Sequence, residues 1–543
     1  MKAILSKHVF ITFFCAVFAV TGIGGFAKAQ TPVQRIEVLV HTPAEDVFRY
    51  DMVQIVAESW RELGFDISVT PLAWARISAR ALAQMPRDFD VYPILWVGQS
   101  QRLDPDFFVF SLLHSSQIQE GGLNGGYKNP EMDKLAEKQR TATTLGERKK
   151  AVIDAQALVM REQGVTPIVL KHQIFPYNSR DFGGAVSQPG EGFNSFPSMM
   201  TFEPKTSRKT LRWGVPSALA SLNPLNWVTA IDHYTIRLIY DMLFRIDEKG
   251  MPQKWAAEDL KIIDPLTYEV RLRPDMKFHD GQPVTTEDVK FSYEYYRDQK
   301  SGWAMTKVDR IKEIKVIDQH TMRFILKEPF AAFVPAVLAE LYILPKHIWK
   351  DVPSKLGLSR AQDFANEKPI GSGPFKFAYH RKGEELLLNR FEAHFQPPKV
   401  DGVLRVQYTS IDGMAMSLEK GEIDVAEGRK LMPVHAERLK GKAHITLAVV
   451  EDIYPYMFIY NTFRKPFNDP AVRRALSYAI PRQRIVDQLL MVYGAPATTY
   501  IGPANKEWVN TNVEKFDYDM KKARETLKAA GYQWDSKGRI CYP

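Results

Sequence analysis

The stretch Ala257–Tyr296, AEDLKIIDPLTYEVRLRPDMKFHDGQPVTTEDVKFSYEYY, sets the reading of the whole chain. Residues Thr267 to Leu272 alternate, with Tyr268, Val270 and Leu272 on one face and Thr267, Glu269 and Arg271 on the other, which is the period of a half-buried strand. Arg273-Pro274-Asp275 breaks the run. His279-Asp280-Gly281-Gln282-Pro283 reads as a second turn, because Gly281 can take the positive φ a tight turn demands. Thr285-Thr286-Glu287-Asp288 then gives a hydroxyl cap and early acids to a helix with Val289, Phe291, Tyr293 and Tyr296 on its apolar side. His279 and Asp280 could be imagined as an acid–base pair, but a turn position predicts a solvated imidazole.

A length of 543 residues exceeds what one core can organise and implies two or three domains. The 45% hydrophobic and 25% charged content is that of a soluble globular protein and excludes a disordered chain. Residues 1–29 carry Lys2 and Lys7, an apolar run from Val9 to Phe26, and Ala27-Lys28-Ala29, the pattern of a secretory signal peptide cut after Ala29. Cleavage would remove Cys15 and leave Cys541 as the only thiol, so no intrachain disulfide is expected. The formal charge of +9 falls to +6 once Lys2, Lys7 and Lys28 are discounted. So small an excess, on an exported chain, argues against a nucleic-acid partner.

In chain order, Arg35–Val40 reads as a strand, Tyr50–Leu63 as a helix ending at Gly64, and Phe65–Val69 as a strand, a β-α-β unit of a partly parallel sheet. Asp88–Trp96 (DFDVYPILW) reads as a buried strand. The loop after it, Val97 to Asp106, is the first ligand-site candidate, because open α/β sheets bind ligands at the C-terminal ends of strands. A helix from about Leu145 to Glu162 turns Val152, Ala155, Leu158 and Val159 inward, and Thr166–Leu170 is a strand. Residues 183–206 are rich in Gly, Ser and Pro and read as a connector. Beyond it lie the Gly371-Ser372-Gly373-Pro374-Phe375 turn, the helix end Leu418–Ala426, the stretch Phe458–Ile480 (FIYNTFRKPFNDPAVRRALSYAI) and a helix over Lys521–Gly531.

These strings resemble the family 5 extracellular solute-binding proteins, the peptide- and nickel-binding receptors of ABC importers. Leu211-Arg212-Trp213-Gly214 and Ser221-Leu222-Asn223-Pro224 look like the start of a mature member. The SWRELGFDISV, FDVYPILW, YKNPEMDKL and TPIVL elements look like its last third, yet here they come first. The resemblance implies a two-lobed α/β fold, the type II periplasmic binding protein fold with an extra subdomain, in circularly permuted order. Residues 33–176 and 456–543 would form one lobe, 177–206 a connector and hinge crossing, and 207–455 the other lobe with a subdomain near 265–365. Crossings would lie near Phe175–Gly184 and Val450–Tyr456.

In peptide-binding relatives an Asp three residues past the tryptophan equivalent to Trp96 pairs with the ligand's ammonium group; here that residue is Gln99. The Arg that some place three residues before it corresponds to Pro93, and an acid just ahead of the Ser-Leu-Asp-Pro stretch would fall near Ala218. The resemblance therefore implies a ligand site built from Trp96, Gln99, Trp74, Asn461 and Asp104, with Asp106 an alternative to Asp104. The function implied is a periplasmic substrate-binding protein delivering a peptide or peptide-like solute to membrane permease subunits. It would act as a monomer, with no catalysis, no cofactor and no metal. A sensor subunit facing a membrane receptor, or a binder of an opine, a sugar conjugate or a nickel complex, is the alternative. No HExxH, GxSxG, Walker A or paired-Cys motif occurs.

Overall fold

The computed structural model describes residues 31–96, 98–99, 102–119, 122–227 and 229–543. The signal peptide read over residues 1–29, and Val97, Ser100 and Gln101 of the candidate loop, lie outside the described residues.

Ten strands follow one another across a 12-stranded mixed sheet, and two more pair alongside. In chain order the strands that matter here are β1 (Ile36–His41), β2 (Ile67–Leu72), β3 (Val91–Ile94), β4 (Val165–Asn178) and β5 (Thr210–Val215). Next come β6 (Ala257–Asp264), β7 (Thr267–Leu272), β8 (Ile311–Val316) and β9 (Thr321–Leu326). The remainder are β10 (Phe375–Arg381), β11 (Glu385–Arg390), β12 (Gly402–Gln407), β13 (Val425–Ala426), β14 (Ile445–Glu451), β15 (Tyr456–Tyr460) and β16 (Gly494–Pro496). The large sheet runs β10-β11-β12-β5-β13-β4-β15-β3-β1-β2, with β14 and β16 also on β4. A separate antiparallel sheet, β6-β7-β9-β8, contains the opening stretch.

The main helices are α1 (Pro43–Glu62), α2 (Pro130–Thr141), α3 (Leu145–Glu162), α4 (Ala230–Ile239), α5 (Thr286–Asp298), α6 (Pro470–Tyr478) and α7 (Met520–Ala529). Helix α5 begins as its sequence predicts, with one exchange of roles. The Asp288 carboxylate accepts from both the backbone N–H (3.0 Å) and the hydroxyl (2.9 Å) of Thr285, so the acid does the capping. Its buried face is Val289, Ser292, Tyr293, Tyr295 and Tyr296, and Phe291 stacks half-buried on Tyr295.

Strand β4 is the spine. It is buried along almost its whole length, as befits a central strand covered on both faces. Val165 to Val169 pair with β15, whereas His172 to Asn178 pair with β14, so one strand belongs to both ends of the sheet. Around β15 the leading and trailing segments form one body: β3 and β4 flank β15, and the Val33 N–H donates to the Ile540 carbonyl at 2.8 Å. The Trp60 indole donates to Leu476 O at 3.0 Å, and Trp534 to Leu63 O at 2.7 Å.

Three local expectations are corrected. The strand expected over Asp88–Trp96 shrinks to Val91–Ile94, because the Asp88 carboxylate and its carbonyl are drawn aside to the Arg80 guanidinium. His279 is not a solvated turn residue. Its Nε2 lies 3.0 Å from Gly373 O and its Nδ1 accepts from the Gly371 N–H, so it braces the Gly371–Gly373 turn, and burial pushes it down to about 4. The Gly/Ser/Pro-rich connector, read as having little regular structure, carries a short helix at Phe196–Thr201, and its Gln188, Glu191, Asn194, Ser195 and Ser198 are all buried. Gly192 has φ +50°, and a Cβ there would run into the Phe175 ring, so the absence of a side chain is what lets the connector lie against β4.

Candidate functional site

Two cavities of similar size open where the segments meet. One, of about 400 Å³, is lined by Trp96, Arg102 and Phe107 from the loops after β3, by Phe196 of the connector, and by Trp227 and Trp303 of the middle segment. The other, of about 440 Å³, is lined by the N-terminal turn of α1, Leu95, Lys171 and Gln173, by Thr229–Ile231 at the start of α4, and by Arg429, Asp452 and Tyr456.

In the Trp96 cavity each carboxylate is matched. The Asp106 carboxylate accepts from Arg140 Nε (2.6 Å) and Nη2 (2.7 Å) and from Gln139 Nε2 (2.5 Å). Burial alone would raise this carboxyl, but Arg140 beside it holds it below its ordinary value. Asp104 is held by both Nη atoms of Arg148, at 2.8 and 2.6 Å. Glu191, from the connector, pairs with Arg237 at 2.8 Å, and Glu340 with Lys307 at 3.0 Å. His233 is driven well below 6.5 by burial and by Arg237, so it is a neutral imidazole, with Nδ1 at 2.9 Å from the Tyr342 hydroxyl.

The unmatched groups are donors. The indole Nε1 atoms of Trp96, Trp227 and Trp303 are buried on this cavity without an acceptor among the described residues, and so is Arg245 Nε. A buried donor left unmade costs about 1–3 kcal/mol, so this wall favours a solute rich in oxygen acceptors. The Arg102 guanidinium lies 5.7 Å from the Trp96 ring centroid and 5.3 Å from Phe107, which stiffens the aromatic wall.

Of the residues expected to bind ligand, Trp96 and Asp104 line this cavity, although both Asp104 oxygens are committed to Arg148. Gln99 is 2% exposed and lines neither cavity. Trp74 stacks on His41 (5.4 Å between centroids) outside both. Asn461 also lies outside both: its amide donates to Phe89 O (3.0 Å) and Arg87 O (3.3 Å), bracing the turn after β15. From sequence Trp227 reads as structural, and Trp303 and Lys171 are not singled out; a tryptophan or lysine by itself carries no mark of facing a cavity.

Among the described residues no group of three or more His, Cys, Asp and Glu is placed to hold a metal ion. No helix of the described residues is long and apolar enough to cross a membrane.

Residues 252–540 match the model of the bacterial extracellular solute-binding proteins, family 5. The oligopeptide-binding protein AppA of Bacillus subtilis is 31% identical over 310 residues, 55% of each chain. The glutathione-binding protein GsiB of Escherichia coli K12 is 27% identical over 325 residues, 59% of this chain and 60% of that one. The chain thus spans little more than half the length of these curated relatives. Among solved structures, B. subtilis AppA in complex with a nonapeptide superposes with a TM-score of 0.50 at 26% identity, over 61% of this chain and 65% of that one. NikZ of Campylobacter jejuni in complex with Ni(L-His) gives 0.50 at 24%, over 62% and 66%, a likeness of fold. With the family model covering more than half of its residues, and a mixed α/β fold shared with these structures, the chain belongs to the bacterial extracellular solute-binding proteins, family 5.

Proposed function

We propose that this protein is the periplasmic substrate-binding component of an ABC importer, taking a peptide or peptide-like solute between two lobes and handing it to membrane permease subunits. The observation that carries the reading is the origin of the cavity walls: leading, connector and middle segments all contribute to the Trp96 cavity, so a solute held there ties them together. Closure then follows from binding energy across the cleft, with β4 and β14 as the hinge strands. The protein acts as a monomer and breaks no bond, the cavity's acids being spent on ion pairs.

The order of elements is read as a circular permutation. Its support is that the family match ends at residue 540, and there the Ile540 carbonyl accepts from Val33, so the leading segment continues in space from the matched one. The matched carboxylates also disfavour a free ammonium group as the main anchor. An acceptor-rich solute such as an opine or a sugar conjugate fits this cavity better than a zwitterionic dipeptide held by its amine.

The test is mass spectrometry of solute retained by protein purified from the periplasm, before and after incubation. A single retained solute of unchanged mass is the expected result; a changed mass would replace the binding reading with an enzymatic one. A rearranged chain, with Pro543 joined to Thr31 and new ends inside the connector, should fold and bind the same solute if the permutation is real.

A further inference from the structure

Lys171 is a buried cation with little compensation among the described residues. It lies on β4 where that strand leaves β15, its neighbour across the ladder being Gly494 of β16. The residue is only 6% exposed, yet its Nζ has a single hydrogen-bond partner, the Met432 thioether at 3.5 Å. Among the described residues no carboxylate lies within ion-pair distance of it. Burial pushes its ammonium down to about 8, with Asp46 and Asp452 acting against that shift and Lys430 reinforcing it.

The same cavity receives a second unspent donor from the other side. Arg429 sends Nε to Glu427 at 3.0 Å, but its Nη2 is buried without an acceptor. The start of α4, with Thr229, Ala230 and Ile231 on the wall, adds the positive end of a ten-residue helix. The acids present are already engaged: Glu45 with the Trp74 N–H, Asp46 with the Arg49 N–H, Glu427 with Arg429 and Asn194, and Asp452 with Gln173 at 2.8 Å and the Ile453 N–H. Phe48, Leu95, Ile231 and Tyr456 make up apolar wall.

We propose that the Lys171 cavity is an anion subsite, in which Lys171 Nζ takes the carboxylate of a solute whose apolar body lies along Phe48 and Tyr456. A carboxylate matches this site better than a phosphate, because a dianion would stand opposite Asp46, Glu427 and Asp452 as well. The inference rests on the solute-binding reading and names the chemistry its ligand must carry.

The probes are N-acetyl-leucine, which has a carboxylate and no ammonium, its uncharged amide, and leucine amide, which has the ammonium alone. Calorimetric titration into the full mature protein should show binding of N-acetyl-leucine at least tenfold tighter than of either amide. Lys171→Met and Lys171→Gln should each lose that preference; thermal melts of both variants establish that they are folded, and the Gln variant keeps a donor while removing the charge. Equal affinity for the acid and its amide, a preference for leucine amide, or an undiminished preference in a folded Lys171 variant overturns the proposal. The two readings fail separately. Protein that retains a periplasmic solute but does not discriminate among the probes retires the anion subsite alone. Lys171-dependent probe binding by a protein that retains no periplasmic solute retires the import reading alone.

Discussion

The two cavities are close in volume and opposite in electrostatic design. Around Trp96 the Asp106 carboxylate sits against Arg140 and is held below its ordinary value, so its ionisation stabilises the fold, whereas burial raises the Glu340 carboxyl despite Lys307 beside it. Around Lys171 the ammonium is pushed down to about 8 and the Asp452 carboxyl up to about 6, both by burial, so ionisation there opposes the fold. Charges that stabilise the structure are already satisfied by it. Charges that destabilise it at neutral pH are the ones an incoming partner can relieve, which is how a binding site differs from a structural ion-pair network.

The contrast is most exposed to a pair of variants. Asp106→Ala strands Arg140 and Gln139 in the interior, and denaturant unfolding should show a loss of about 3–5 kcal/mol. Lys171→Met should do the reverse, raising stability at pH 7 by about 2 kcal/mol, the burial cost of the ammonium less some lost packing. Destabilisation of similar size in both variants would erase the distinction between the cavities. The gain has a defined pH dependence. Lys171 titrates near 8 when folded and near 10.5 when unfolded, so the wild type recovers stability as pH rises through that window and the advantage of Lys171→Met shrinks.

A smaller effect concerns the probe. N-acetyl-leucine affinity should fall about tenfold, or about 1.4 kcal/mol, between pH 7 and 9 as Lys171 gives up its proton. The charged and titratable groups on the cavity wall are Glu45, Asp46 and Arg49 from α1, Glu427, Arg429, Lys430 and His435 after β13, and Asp452 beyond β14, of which Asp46, Asp452 and Lys430 act most on the ammonium. Asp452, at about 6, has largely ionised before that window opens. A flat profile in calorimetry would place the anion elsewhere. The smallest change calibrates the rest: Lys382→Met, breaking an ion pair with Glu367 that is 76% and 65% exposed, should leave the denaturant unfolding midpoint where it is in the wild type.

Much of the scaffold was legible because its signals are local. The alternation of Thr267–Leu272 became β7, and the Leu145–Glu162 spacing became α3 with Val152, Ala155, Leu158 and Val159 buried. The connector misled because Gly, Ser and Pro report how freely a backbone can turn, not what packs on it: Glu191 and Asn194 are buried through Arg237 and Glu427, which are 46 and 233 residues away. Asn461 misled in the same way, since the turn that fixes it uses its amide on backbone carbonyls more than 370 residues earlier. The site was half legible. Trp96 at the end of a strand pointed to a cavity, but which of the nearby charges were already spent did not show.

By itself the sequence determined the family, the two kinds of sheet and the helices that cover them, because periodicity, caps and turns act over a few residues. Which charges are paired was decided only by the tertiary structure. Ion-pair energy depends on separation and desolvation in space, and the chain brings Asp104 onto Arg148, 44 residues away, but among the described residues brings no acid within ion-pair distance of Lys171.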